Sequence, residues 1–261
     1  MKITSFQDAL ISEYIKDPVG VQATALWKTF NGLDNFQYKY STNNENVSLL
    51  KIWNDNMLHT LWSDGSKSIK ISDDEIKQYK MMILKGNQFN DGMKAVWTNV
   101  EPYFKLAHNH EQIQESEVPD GFYIKNVDIK CELEQVSELI CKCYEHIKPD
   151  TNEVKRWTQH EVFNKNLWIW VIDKNTEKPA ALGIADVDTT IREGALEWIQ
   201  VLPEYQGKKL GKTLVLELLN RLKDIADFTT VSGEVDNKTN PERLYRRCGF
   251  EGEDIWYVLR R

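Results

Sequence analysis

Residues Leu196–Lys223, LEWIQVLPEYQGKKLGKTLVLELLNRLK, constrain the fold more than any other stretch, because they spell a strand, a tight loop and a long amphipathic helix in succession. Leu196, Trp198, Ile199, Val201 and Leu202 make a mostly apolar strand, and Pro203, which cannot donate to a ladder, ends it. Apolar residues recur at Leu210, Leu214, Val215, Leu218, Leu219 and Leu222, the spacing of one helical face. Between the two, Gln206, Gly207, Lys208, Lys209, Leu210, Gly211 and Lys212 supply two glycines and three lysines. The first N–H groups of a helix lack intrahelical acceptors and its start is electropositive. Glycines let a backbone approach a phosphate, and lysines add point charge. The loop therefore suits an anion such as a pyrophosphate. The same residues also fit an ordinary strand–loop–helix with a basic first turn, and their spacing matches neither a Walker nor a dinucleotide glycine motif.

The 261 residues suffice for one large domain or two ordinary ones, and 41% hydrophobic with 28% charged residues describes a globular chain with a sizeable core. A formal net charge of −7 argues against a nucleic-acid binder. The opening MKITSFQDALISEYIKD has no long apolar run, and no stretch of 18 apolar residues occurs, so a cytoplasmic protein with no membrane partner is expected. Cys131, Cys141, Cys143 and Cys248 lack paired metal spacing and read as reduced thiols, with no metal implied. In that compartment the sequons at Asn46 and Asn237 are chance matches.

Residues 1–117 contain no arginine, whereas residues 118–261 hold all eight. In the first part the pattern predicts helices over Ser5–Ile15 and Val21–Phe30, then strands over Val47–Trp53, Met57–Trp62 and Lys67–Ile71, with a turn at Ser63–Ser66. Ser72 and Glu75 fit a capping box opening a helix over Asp73–Leu84, and a further helix is expected over Met93–His108, with Pro102 kinking it. The expectation is a smaller, mostly helical α+β accessory domain with a core drawn from Trp27, Trp53, Trp62 and Trp97. His108, His110 and Glu111 could suggest a metal. Two apart at a helix end, the histidines share no face and read as exposed polar residues. The polar stretch Asn109–Asp120 reads as a linker, with the boundary near Val118.

From Val118 the elements become regular. A strand is expected over Gly121–Ile129, a helix carrying Leu133, Val136, Leu139, Ile140, Cys143, Tyr144 and Ile147 on one face, and a helix over Thr151–Phe163. Strands over Leu167–Ile172 and Ala180–Val187 lead to the strand–loop–helix. A strand over Phe228–Val235, a helix from Pro241 to Cys248 and a strand over Ile255–Leu259 complete the chain. The last helix has local signals: Asn240 as N-cap, Pro241 at the first position and Gly249 as a left-handed terminator.

The pattern L-x-x-I-x-V-x-P-x-x-Q-G-x-x-x-G resembles the acetyl-coenzyme A motif of the GNAT superfamily of N-acetyltransferases, whose core is Q/R-x-x-G-x-G/A. Gln206 and Gly211 match its first and last positions, Gly207 a frequent extra glycine, and Lys209 stands at the middle glycine, where a side chain should narrow or reshape the loop. D-N-K-T-N-P-E-R-L-Y-R-R-C-G-F resembles the family's second motif, and the element order over residues 118–261 resembles its fold. The resemblance implies a mixed, mostly antiparallel sheet flanked by helices, an α+β chain overall, and acetyl transfer from acetyl-CoA to a primary amine by direct attack in a ternary complex. It places the backbone of Ile199 and Val201 on the pantetheine arm and Gln206, Gly207, Lys208, Lys209, Gly211 and Lys212 on the pyrophosphate. Asn237 falls near the cofactor, with a plain turn role as the alternative.

Tyr245 matches the family's general acid; a phenol of pKa about 10 can protonate a thiolate of pKa about 8.5–9. The amine must lose a proton before it attacks. Glu197, which regular strand geometry puts on the face of Ile199 and Val201, is the first choice of base, with Asp186 and Asp188 as alternatives. Cys248, flanked by Arg246 and Arg247, is a conceivable nucleophile, but its place on the apolar helix face favours packing. The acceptor would be a small-molecule or peptide amine, and a second copy of the chain is a conceivable partner. The competing function is a non-catalytic CoA-binding or regulatory protein, motivated by Lys209. A diverged second copy of the domain in residues 1–117 is disfavoured, because nothing there repeats the Q-G-x-x-x-G loop.

Overall fold

The computed structural model describes residues 3–43, 46–64, 71 and 73–261. Along the chain run α1 (Phe6–Lys16), α2 (Leu26–Gly32), β1 (Gln37–Asn43), β2 (Asn46–Trp53), β3 (Met57–Ser63), α3 (Asp73–Gln78), β4 (Met81–Lys85), α4 (Asp91–Lys94) and β5 (Asn99–His108). Then follow β6 (Phe122–Asn126), α5 (Leu133–Cys143), α6 (Thr151–Trp157), β7 (Trp168–Asp173), β8 (Lys178–Asp188) and β9 (Glu193–Val201). The chain ends with α7 (Leu210–Leu222), β10 (Phe228–Glu234), α8 (Pro241–Arg247) and β11 (Ile255–Arg260). The fold is mixed α+β with mainly antiparallel pairing, and among the described residues no helix is long and apolar enough to cross a membrane.

Two compact units interleave along this chain. The first gathers Met1–Ala107, Thr230–Glu242 and Glu251–Arg261; the second gathers His108–Thr229 and Arg243–Phe250. The sequence boundary near Val118 assigns the last two strands to the C-terminal domain, whereas β11 and residues 230–234 of β10 belong to the first unit.

The first unit is built on the strand order β1-β2-β3-β4-β11-β5-β10. The C-terminal strand β11 is interior to it, paired antiparallel with β4 on one side (Val258 opposite Ile83) and β5 on the other (Val258 opposite Glu101). Two segments expected as helices differ here. The helix from Asp73 stops at Gln78, and Met81–Lys85 is a strand in which Met82 and Leu84 are buried between half-buried neighbours, the period of a sheet. Within Met93–His108 only the start is helical, and Asn99–His108 is the long strand β5. Pro102 lies inside this strand, with its carbonyl accepting the N–H of Val235 at 2.9 Å. The accessory region is thus richer in strands than its helical signals imply. Likewise helix α2 begins at Leu26, because Gln22 holds φ +43° and cannot continue a helix. The expected strand Lys67–Ile71, the turn at 63–66 and the Ser72–Glu75 capping box fall largely outside the described residues.

Leu58, Ile76, Tyr79, Met82, Leu84, Met93, Trp97 and Leu259 form a core in this unit, with Trp53 packed against it. Trp27 is buried as well, while Trp62 is half-buried. Lys105 is 1% exposed, and its ammonium donates to Tyr14 Oη (3.2 Å) and to the carbonyls of Val21 (3.2 Å), Gln22 (3.3 Å) and Thr24 (3.0 Å).

The second unit is built on the order β9-β8-β7-β6, all antiparallel. Its two faces are covered by different helices. A Cβ on Gly183 would lie 3.1 Å from Leu214 and 3.2 Å from Leu218, which puts α7 on that face. The opposite face carries Trp168, Trp170, Ile172, Leu182 and Ile184, which pack with Val136, Leu139, Ile140 and Val154 of α5 and α6. Strand β7, apolar from Trp168 to Ile172 and ending in Asp173, is buried at every position, as a strand covered on both faces must be. His108 and His110, expected to be exposed, are not: His108 is 3% exposed against Phe250, and His110 bonds Ala226 O (3.1 Å) and Thr229 Oγ1 (2.7 Å). The polar stretch after β5 is therefore anchored on the second unit by its imidazoles.

Candidate active site

The site grows from the strand–loop–helix of the second unit. In β9 the pairing with β8 slips between Ile184–Trp198 and Ala185–Leu196, leaving Glu197 as the extra residue of a β-bulge. The bulge resets which face each residue occupies. Gly194 faces α7, since a Cβ there would stand 2.8 Å from Leu222 Cδ1. Trp198 and Gln200, of the same parity, instead meet α5 and α6: Trp198 stacks on Trp157 at 5.3 Å, and Gln200 Nε2 donates to Tyr144 Oη at 2.8 Å. Ile199 and Val201 are thereby turned to the α7 face, with Ile199 opposite Gly183. Glu197 sits in the bulge itself, half-buried, so simple alternation no longer assigns its side chain to the face of Ile199 and Val201. From Glu197 to Val201 every residue is half-buried, whereas Glu193–Leu196 are buried; the strand opens at its C-terminal end.

After Leu202 the chain turns through a short 3₁₀ segment, Pro203–Tyr205, into the loop. Gly207 holds φ +79°, and Lys209, the N-cap residue of α7, holds φ +65° and ψ +8°. A lysine thus adopts the left-handed conformation that the motif's middle glycine would take, at about 1–2 kcal/mol. Gln206 through Lys209 are exposed. The first bond across this helix start runs from Thr213 N–H to Lys209 O at 3.1 Å, so the N–H groups of Leu210, Gly211 and Lys212 point out of the helix. Gly211 serves packing: a Cβ there would lie 3.1 Å from Leu244 of α8 and 3.8 Å from Val201.

The three lysines are not equivalent. Lys208 stands over the rings of Tyr205 (4.8 Å) and Phe122 (5.7 Å), and Tyr205 Oη donates to Asp173 at 3.0 Å. Lys208 is itself exposed beside that aromatic pair. Lys212 is half-buried in the first turn, and its charge reaches Cys248 of the α8 terminus. Lys209 leads out of the loop. N–H groups without intrahelical acceptors, a glycine and two cations not held on aromatic rings form a donor set that fits a polyanion.

α8 ends as its sequence indicates. Gly249 holds φ +93°, its N–H reaches Arg246 O (3.1 Å), and Phe250 N–H reaches Tyr245 O (3.1 Å), a Schellman closure. Asn240 holds φ +48°, which is not the extended backbone of an N-cap. Tyr245 is 7% exposed, edge-on to Phe250 at 5.8 Å. Burial, reinforced by the nearby Tyr144 and Cys248, pushes its phenol far above the ordinary range. Cys248 is 1% exposed, and burial raises its thiol to about 11 despite Lys212, so it packs and is no nucleophile. Asp188 accepts the N–H of Thr190 in the β8–β9 turn, and Asp186 pairs with Ala195. Asn237 belongs to the first unit, where its side chain accepts from Thr239 N (2.9 Å) and Oγ1 (2.7 Å) in a turn of its own.

The second unit therefore brings together Ile199, Val201, Gln206, Gly207, Lys209, Gly211, Lys212, Tyr245 and the Glu197 bulge. Sequence reasoning passed over Tyr144 and Gln200. The one signal for Gln200 was a polar residue between Ile199 and Val201 in a mostly apolar strand. Among the described residues no cluster of three or more His, Cys, Asp or Glu is set to hold a metal ion.

Residues 165–252 match the family model of the acetyltransferase (GNAT) domain. Among solved structures, the chain resembles a GCN5-related N-acetyltransferase from Sphaerobacter thermophilus with a TM-score of 0.63 at 10% identity, over 84% of this chain and 78% of that one. It resembles a GNAT-family acetyltransferase from Colwellia psychrerythraea with a TM-score of 0.61 at 12% identity, over 100% and 99%. A tandem GNAT protein from the clavulanic acid biosynthesis pathway is similar with a TM-score of 0.56 at 13% identity, over 97% and 94%. At these identities the likeness is one of fold, and it spans the whole chain.

Proposed function

We propose, from the match of residues 165–252 to the acetyltransferase (GNAT) domain model, that the chain transfers an acetyl group from acetyl-CoA to a primary amine by direct attack. The observation that carries the reading is the start of α7, where Gly207 and Lys209 take left-handed backbone and the N–H groups of Leu210, Gly211 and Lys212 face outward beside two lysines. That arrangement suits a pyrophosphate. Acetyl-CoA supplies the activated acyl group as a thioester.

The chain's own residues do the rest. The open end of β9 offers the backbone of Ile199 and Val201 to an extended ligand arm. Tyr245 stands at the position the GNAT resemblance gives to the general acid, where it hydrogen-bonds the sulfur. Glu197 accepts the amine's proton from its bulge, directly or through water, and its carboxylate draws a cationic acceptor. The acceptor is a small-molecule or peptide amine. Lys209 does not disrupt the loop, because it occupies the left-handed well and the helix begins directly after it; this supports cofactor binding.

The test is thiol release from acetyl-CoA by the full chain across a panel of amino acids, polyamines, aminoglycosides and peptides with free N-termini or lysines. Amine-dependent release is expected. CoA affinity with no release for any amine would convert the reading to a non-catalytic binder, and absence of both would remove it.

A further inference from the structure

We propose that Tyr144, positioned by Gln200, delivers a proton to the departing thiolate. This rests on the acetyl-transfer reading above. Gln200 lies between Ile199 and Val201, the two residues whose backbone would flank the thioester, and its Nε2 donates to Tyr144 Oη at 2.8 Å. That hydroxyl is thus tied to the stretch of β9 where the sulfur departs. The bulge at Glu197 is what turns Gln200 toward Tyr144, so the contact follows from the same irregularity that opens the strand.

The hydrogen bond has a direction with chemical consequence. An amide N–H donating to a phenol oxygen leaves the phenolic hydrogen for another acceptor and stabilises the phenolate left behind. Burial raises the Tyr144 phenol, and the Gln200 N–H works against that rise. The buried Tyr245 phenol is pushed much further by burial, with Tyr144 itself the next cause. The N–H that Gln200 gives to the Tyr144 oxygen favours the phenolate, and this geometry suits Tyr144 to release its proton.

The ring is also fixed: it sits edge-on to Trp198 at 6.0 Å, and Trp198 is stacked on Trp157. Cys143 beside it adds to the rise of the Tyr144 phenol; Tyr144 in turn bears on Tyr245 of α8, Glu204 bears on Cys143, and Lys148 donates to the Tyr144 carbonyl.

In the step, the amine nitrogen bonds to the carbonyl carbon and the C–S bond breaks, its electron pair staying on sulfur. The Tyr144 O–H bond breaks and the proton passes to sulfur, giving the free thiol and a tyrosinate held by Gln200. The nitrogen gives up one proton to base, and the tyrosinate regains one from solvent, so charge and protons balance.

The test compares the full-length wild type with Tyr144→Phe and Gln200→Leu. Turnover is measured with acetyl-CoA and with an acetyl thioester of a more acidic thiol, and CoA affinity is measured by calorimetry. Tyr144→Phe is expected to lower turnover on the order of 10²-fold with acetyl-CoA and much less with the acidic thiol, at unchanged CoA affinity. Gln200→Leu should lose less and move the alkaline limb of the pH profile, because the phenol loses its N–H partner. Tyr144→Phe turnover within threefold of wild type, or the same loss with both thioesters, would overturn the assignment. If Tyr144→Phe does not fold, an unmoved alkaline limb in Gln200→Leu overturns it instead. A wild type that releases no thiol would overturn the acetyl-transfer reading and this role with it.

Discussion

Lys209 stands where the motif has a glycine, and its φ of +65° sets two effects against each other. Lys209→Gly should raise stability by about 0.5–1 kcal/mol by relieving the left-handed backbone. The same change should weaken CoA binding by roughly 1.5–3 kcal/mol through loss of a charge-assisted phosphate contact. Thermal melts and calorimetry on the two forms read both signs; unchanged affinity would take Lys209 off the phosphates. The departure from the motif was legible in the sequence, but its conformation was not, because a lysine adopts a positive φ only when the surrounding loop enforces it. The burial of Tyr245 was half legible, since its helix face pointed inward while the electrostatics came from Tyr144, about a hundred residues away. Tyr245→Phe should lower kcat about 10- to 100-fold, the worth of a hydrogen bond to a developing anion. A kcat equal to wild type would leave Tyr245 as packing against Phe250.

At the scale of elements, α7 and β9 were readable because their apolar spacings, about 3.6 and 2, are unambiguous over long runs. The bulge at Glu197 left no trace in that pattern: one added residue in a strand needs no special residue type, yet it decides that Gln200 meets Tyr144. β4 and β5 were misread for a related reason, since short segments such as MMILK and VEPYFKLAH carry apolar residues compatible with either period until their neighbours are known. Gly211 makes the contact between α7 and α8. Gly211→Val should destabilise by about 1–3 kcal/mol, because its branched side chain must displace Leu244, which a Cβ alone already approaches to 3.1 Å. Urea midpoints measure this, and an unchanged midpoint would mean that Leu244 swings aside freely.

At the scale of the molecule, the N- and C-terminal parts are not separable by one cut. β11 is an interior strand of the first unit, bonded to β4 and β5, so a chain ending at Phe250 should leave that unit unfolded. Circular dichroism and proteolysis of the truncated chain check this; a cooperative, protease-resistant first unit would contradict the pairing. The first unit also carries a pH signature. Burial, with Lys105 adding repulsion, takes His59 from about 6.5 down to about 3. Between those values the unfolded chain binds the proton and the folded one does not, so the His59 contribution is complete above about 6.5 and is lost as the pH falls toward 3. Its slope reaches about 1.4 kcal/mol per pH unit. His59→Leu should flatten the acid limb of stability against pH by that amount; equal slopes would show that His59 is not the titrating group.

Cofactor binding at the loop between β9 and α7 is the proposal on which the others depend. Hydrogen exchange of the full chain with and without CoA measures it amide by amide. Protection is expected to concentrate at residues 199–201 and 207–212, including the N–H groups of Leu210, Gly211 and Lys212 that lack intrahelical acceptors. CoA binding that leaves those amides unprotected, or protects a different segment instead, would contradict it.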